Sequence, residues 1–364
     1  MEDLRYKVAL SMVPGVGSQV ARNLLAHFGD AEAVFRASPQ QLQKVTRVGP
    51  VIAAQFATAG LMERVEKELA FEERYKIRTW FIGDADYPVR LKRCPDAPVL
   101  LYGKGVFDFE TPRVVAVVGT RRSTERGRKF CQELIHSMSE RGNYMVISGL
   151  AYGIDVAAHR ACLQYDVPTL AVLGHGLDRI YPSEHRAVAE RLMTGGGLLT
   201  EFCGGTDIDR SNFVRRNRII AGLADATVVV ESAQKGGALI TADIAASYDR
   251  DVFAVPGNPA DHFSKGCNAL IKKNMAALIE SLDDLEYGMS WQKSDAAKVV
   301  EPSLFTDLTD EEQACLDAIG EEMMSIDDLC HILEMTSGKI SATLLDLECK
   351  GVIKSLPGKM YRRK

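Results

Sequence analysis

The 364-residue sequence lacks most of the signatures that would assign it a conventional chemistry. It has eight cysteines, at 94, 131, 162, 203, 267, 315, 330 and 349, yet no C-x-x-C and no cysteine-histidine ligand spacing. That scatter points to neither a zinc site nor a redox pair, and reads as reduced, mostly buried thiols. No apolar run reaches the length of a membrane span or a signal core, and the start MEDLRYKVAL carries acids among its apolar residues, so a cytoplasmic protein with no membrane partner is expected. The dinucleotide fingerprint, the nucleotide P-loop, the G-x-S-x-G elbow and H-E-x-x-H are all missing, and "GHG" at 174–176 is only a fragment of the first. These absences predict no cofactor, no metal and no catalytic residues. An excess of positive charge is lacking too. With 44 basic against 49 acidic residues the net charge is -5, which excludes a polyanion-binding surface over the whole molecule and leaves only a local patch. Aromatics are sparse in the central segments, with Tyr152, Tyr181 and Phe213 as the candidates, so an aromatic stacking platform is not expected there.

What the chain does have is organisation. Its length suggests two or three domains, and 46% hydrophobic with 26% charged residues is the composition of a chain that folds by burial. Residues 1–70 are helical in pattern, punctuated by "VPGVG" at 13–17 and "RVGP" at 47–50. From residue 71 to 287 the texture changes to short β-branched runs, each followed by an amphipathic helical segment. The runs are "TWFIG" at 79, "VVAVVG" at 114, "YMVISG" at 144, "TLAVLG" at 169, "LLTE" at 198, "ATVVVES" at 226 and "DVFAVPG" at 251. Near-continuous apolar strands alternating with helices predict an α/β domain with a Rossmann-like parallel sheet covered on both faces. Residues 288–304 read as a linker. Residues 305–364 give helices starting near Thr309, Ser325 and Thr336, then two short strands about a Pro357-Gly358 turn, the pattern of a winged helix.

In an open parallel sheet, ligands bind outside the carboxyl ends of the strands, where helix N-termini favour anions. The turns there are rich in Gly, Ser and Thr: "GTRR" at 119–122, "SGLAYG" at 148–153, "GHGLDR" at 174–179 and "SAQKGGALIT" at 232–241. Arg121 and Arg122 add charge to the first. A second basic cluster, "DRSNFVRRNR", places Arg210, Arg215, Arg216 and Arg218 within nine residues, either to neutralise successive phosphates or to pair with acids such as Glu201, Asp207, Asp209 or Asp225. Asp155 and His159 are spaced to share a helix face, which favours a structural hydrogen bond over catalysis.

The segments "VVGTRRSTERGRKF", "SGLAYGIDVAAHRACL", "GLDRIYPSEHR", "FVRRNRIIAGLADATVVVESAQKGGALITADIAASYDRDVFAVPGN" and "SKGCNALIK", in this order across the central domain, resemble the bacterial DNA-processing family called DprA or Smf. The resemblance implies a non-catalytic, dimeric protein that binds and protects single-stranded DNA and loads the RecA recombinase onto it during natural transformation. Carried over by motif, its DNA site comprises Gly119, Thr120, Arg121, Arg122, Ser148, Gly149, Gly153, Phe213, Arg215, Arg216, Asn217, Arg218, Gly236, Gly237 and Thr241. Ser183 follows "YP" where the family often has a basic residue, and Arg186 is the nearby substitute. A rival reading is a nucleotide-processing enzyme of the lysine-decarboxylase-like, phosphoribohydrolase type. "KGGALITAD" echoes that group's P-G-G-x-G-T-x-x-E without the proline, the third glycine or the glutamate, so Asp243 would have to serve as the acid.

The flanking modules are less specific. Val13, Gly15, Val16 and Gly17 fit a helix-hairpin-helix turn, whereas Arg47 stands where the second hairpin would have its first glycine. The winged helix offers Lys339, Lys350, Lys354, Lys359, Arg362, Arg363 and Lys364, on an acidic body that suits protein contact at least as well as duplex DNA.

Overall fold

The computed structural model describes residues 2–291, 308–320 and 323–363. Its centre is a nine-stranded sheet: β1 (Arg78–Phe81), β2 (Leu100–Gly105), β3 (Arg113–Val118), β4 (Tyr144–Ser148), β5 (Thr169–Val172), β6 (Gly196–Thr200), β7 (Ala226–Val229), β8 (Asp251–Ala254) and β9 (Ala277–Leu278), in the order β1-β2-β6-β5-β4-β3-β7-β8-β9. From β6 to β9 every pairing is parallel. The expected Rossmann-like parallel sheet is extended at one edge by two strands in antiparallel pairing: β1 and β2 pair antiparallel, and β2 runs antiparallel to β6. Parallel neighbours need a long crossover, and only the short helix Val89–Lys92 lies between β1 and β2.

Why the strands read as unbroken apolar runs is visible along β3. Val114, Ala116 and Val118 face one core, shared with the helices Arg210–Leu223 and Gly237–Ser247. Val115 and Val117 face the other, under the helices Glu125–Arg141 and Ile154–Gln164. Both faces are covered, so period-2 alternation carries no polar half.

The six N-terminal helices do not form a separate core. Val8, Leu24, Val34 and Val65 belong to the same apolar cluster as Trp80, Leu101 and Tyr102. Polar contacts tie the same seam: Lys7 pairs with Asp84 at 2.8 Å, Arg22 donates to the Cys94 carbonyl at 2.9 Å, and the Gly204 amide donates to Glu68 at 2.9 Å. The expected boundary at residue 70 falls inside the helix Leu61–Tyr75. Gly15 and Arg47 occupy matching positive-φ positions of the two hairpin turns, at 81° and 71°. The second hairpin therefore keeps its turn without the glycine.

Of the expected linker, residues 288–291 finish the sheet domain. The helix Leu282–Gly288 packs on it, Met289 is buried, and the Trp291 carbonyl accepts from Arg113 at 2.7 Å. Residues 292–304 lie outside the described residues. The C-terminal module forms as expected, with helices Asp310–Ile319, Ile326–Ile332 and Ser337–Cys349 and strands β10 (Met324–Ser325), β11 (Ile353–Leu356) and β12 (Met360–Arg363). It has its own core of Leu316, Ile319, Leu329, Ile340, Leu344 and Leu347.

Candidate nucleic-acid interface

The sheet reverses its winding direction at β3, which lies between β4 and β7. Such a switch point leaves a crevice at the carboxyl ends of the strands. It is occupied here by a pocket of about 600 Å³. Three segments build it. Gly119, Thr120 and Arg121 leave β3; Ser232, Lys235, Gly236 and Gly237 lead from β7 into the helix Gly237–Ser247; and Phe213, Arg216 and Asn217 project from the helix Arg210–Leu223. No side chain caps the helix that starts at Gly237, so its first amides remain available at the pocket edge.

Arg121 is exposed and, among the described residues, forms no ion pair; its guanidinium lies 5.8 Å from the centroid of Phe213. Gly153 backs this loop. Its φ of 79° and its packing against the Thr120 carbonyl and the Arg121 backbone leave no space for a Cβ.

The arginine block is divided by the helix that carries it. Arg216 points into the sheet, is 3% exposed, and donates to the carbonyls of Gly149, at 2.7 Å, and Val172. A Cβ on Gly149 would overlap this guanidinium. Burial pushes Arg216 down to about 10, so it stays charged at neutral pH, while burial pushes the nearby Asp155 carboxyl up and Arg216 opposes that rise. Arg216 thus sets a cationic floor under the pocket. Arg215 and Arg218 turn away and share the Glu201 carboxylate, at 2.7 and 2.6 Å. Arg218 also donates to the Asp96 carbonyl. The intrachain pairing weighed from the sequence is therefore what Arg215 and Arg218 adopt.

The other expected site residues are placed as follows. Gly236, Gly237, Thr241, Phe213 and Asn217 line the pocket with Gly119, Thr120 and Arg121. Arg122 and Gly153 line an adjoining groove. Ser148 does not reach either cavity, being fully buried with its hydroxyl donating to the Val117 carbonyl at 2.7 Å. Arg186 begins the helix Arg186–Gly195 and lines neither cavity. Asp155 and His159 do not bond to one another: His159 meets Thr169 at 2.9 Å, and burial lowers it to about 3. Sequence reasoning passed over Lys235, whose signal was its place directly before two glycines at a helix start. No cluster of metal-ligating side chains occurs among the described residues.

Fold and pocket together define a doubly wound α/β protein with a cationic, amide-rich crevice at its switch point, carried between a helical-hairpin module and a winged helix. DNA recombination-mediator protein A is the family that matches residues 78–289, with a DprA winged helix domain at 301–359 and a helix-hairpin-helix motif at 7–58. Protein Smf of Synechocystis is 32% identical over 99% of this chain and 98% of its own length. DNA processing protein DprA of Streptococcus pneumoniae is 39% identical over 59% of this chain and 75% of its own. The X-ray structure of DprA from S. pneumoniae superposes with a TM-score of 0.65 at 32% identity, covering 78% of this chain and 95% of that one. A DNA processing protein A structure from Helicobacter pylori, described for its single-stranded DNA binding mode, superposes with a TM-score of 0.54 at 25% identity, covering 60% and 97%. This chain belongs to the DNA recombination-mediator protein A family.

Proposed function

We propose that the switch-point pocket binds the sugar-phosphate backbone of single-stranded DNA, and that the protein acts as a recombination mediator that protects incoming strands and delivers RecA onto them during natural transformation. The observation that carries this reading is Arg121, an exposed cation without an ionic partner among the described residues, set beside uncapped helix amides at the switch point. A relative of the same fold is described by its single-stranded DNA binding. The expected contacts are Gly119, Thr120, Arg121, Phe213, Asn217, Gly236, Gly237 and Thr241, with Lys235 added, acting in a cytoplasmic homodimer without catalysis. Phosphate contacts dominate, so affinity falls steeply with salt. The nucleotide-processing alternative is disfavoured by the family match.

Titration of labelled oligo-dT by fluorescence anisotropy tests the reading. Arg121→Ala weakens binding by about 1–3 kcal/mol, the worth of a charge-assisted hydrogen bond. A folded variant that binds as tightly as the parent rules out the pocket, and release of a free base from any nucleotide restores the enzymatic alternative.

A further inference from the structure

Arg121 belongs to two cavities. Beyond it, on the far side of the Thr120–Gly153 contact, a groove of about 690 Å³ runs between the helices Glu125–Arg141 and Ile154–Gln164. Four exposed arginines line it: Arg121, Arg122, Arg128 and Arg160. Among the described residues none of the four has a carboxylate partner, and Arg128 is held by the Ser123 carbonyl at 2.7 Å. Elsewhere in this net-acidic chain, Arg90 pairs with Asp225, Arg113 and Arg141 with Glu286, and Arg215 and Arg218 with Glu201. A cluster of like charges left uncompensated at one place disfavours the isolated fold, and an anionic ligand removes that repulsion. Glu184 is the one carboxylate in the lining, at the rim, where it accepts from Ser183 at 3.2 Å. Tyr152, 41% exposed, offers a ring at the same mouth.

We infer that this groove is a second phosphate-binding subsite, and that a single strand leaving the switch-point pocket passes Arg121 and continues along Arg122, Arg128 and Arg160. An isolated nucleotide fills one cavity. A chain of regularly spaced phosphates engages both, and the arginine common to them makes the path continuous. Arg128 and Arg160 lie outside the strand-end turns of the first site, one turn or more into their helices, and neither belongs to the set of site residues carried over by motif. Glu184 opposes the strand and limits how tightly this arm holds it. The inference rests on the reading of the first pocket as a single-strand site.

The experiment compares the full-length parent with Arg128→Ala/Arg160→Ala and with Glu184→Gln, using a short oligo-dT of about 5 nucleotides and a long one of about 20, lengths that bracket site sizes of single-strand binders. Circular dichroism establishes that each variant is folded. For the long oligonucleotide the double variant loses about tenfold or more in affinity, and its slope of log K against log salt falls by roughly 1.4, at about 0.7 for each lost contact. For the short one, binding changes by less than about twofold. Glu184→Gln tightens only the long oligonucleotide, a gain that misfolding cannot produce. Equal losses at both lengths, or unchanged binding of the long strand in all variants, overturn the second subsite while leaving the first pocket in place. If the parent binds neither length, the single-strand reading itself falls and this inference with it; and should the double variant fail to fold, the Glu184→Gln result alone decides.

Discussion

At the scale of single residues, the protein tolerates buried ionisable groups where they organise backbone. Arg216 is the example at the site, a guanidinium nine-tenths buried or more that bridges the ends of two strands through their carbonyls. Glu72 is a different case. It lies in the helix Leu61–Tyr75, is 4% exposed, and has one carboxylate oxygen without a partner. Burial, reinforced by Glu68 one turn earlier, pushes it from 4.5 up to about 8. The native state therefore binds this proton more tightly than the unfolded chain does. Its contribution to stability is complete below about pH 4.5 and is lost as pH rises through about 8. The difference is on the order of 5 kcal/mol. Glu72→Gln should flatten the decline in unfolding free energy between those pH values and raise stability at pH 8.5, measured by urea unfolding at each pH. A parallel decline in parent and variant would assign the dependence to another group.

At the scale of elements, the helix Arg210–Leu223 separates two jobs by its faces. Phe213, Arg216 and Asn217 look towards the pocket, while Arg215 and Arg218 clamp Glu201 at the end of β6. Arg218 is 8% exposed, so its loss leaves a buried carboxylate held only by the half-exposed Arg215. Arg218→Ala should cost about 3 kcal/mol of stability, the lower end for breaking a buried pair because Arg215 remains. The salt slope of oligo-dT binding should not move. A reduced slope with an unchanged melting temperature would instead make Arg218 a phosphate contact. The winged helix shows the same partition: Lys339 pairs with Glu311 at 2.5 Å and Lys350 with Glu312 at 2.6 Å, so Lys339 of its third helix and Lys350 just beyond that helix are both engaged by its acidic first helix.

At the scale of the whole molecule, the division into cooperative units differs from the division into sequence textures. One apolar cluster runs from Val8 to Ala276 and includes helices of the N-terminal module. The C-terminal module has a separate cluster and meets the sheet domain at its wing, where Gly358 lies beside the Arg250 guanidinium and Lys359 forms an exposed pair with Asp249 at 3.2 Å, a pair worth little. Calorimetry should therefore show one transition for the N-terminal helices and sheet together and a second for the winged helix. Ending the chain after Trp291 should remove the second and shift the first by less than about 2 °C, within what a weak surface contact contributes. A fragment starting at residue 70 would split the helix Leu61–Tyr75 and expose Trp80 and Tyr102, so it should melt well below the parent. Equal melting temperatures for that fragment and the full chain would show that the shared core is not cooperative.

Much of this was legible in the amino-acid order. Seven short apolar runs, five of them ending in glycine, located seven strands, because a strand covered on both faces has to be apolar throughout, and Ser or Thr before a periodic run located the helix starts at Thr309, Ser325 and Thr336. Gly119, Arg121 and the Gly236-Gly237 turn were legible for the same reason: a strand-to-helix turn in a parallel sheet has a fixed place relative to the ligand side. Only the tertiary structure decided the rest. β2 was hidden because its direction depends on its neighbours, and the shared N-terminal core was hidden because composition does not reveal which surface a helix covers. The arginines were hidden most of all. Whether Arg215 and Arg218 face a phosphate or Glu201, and whether Arg128 and Arg160 stand alone or beside Arg121, depends on distances between side chains far apart in sequence, and charge acts through space rather than along the chain.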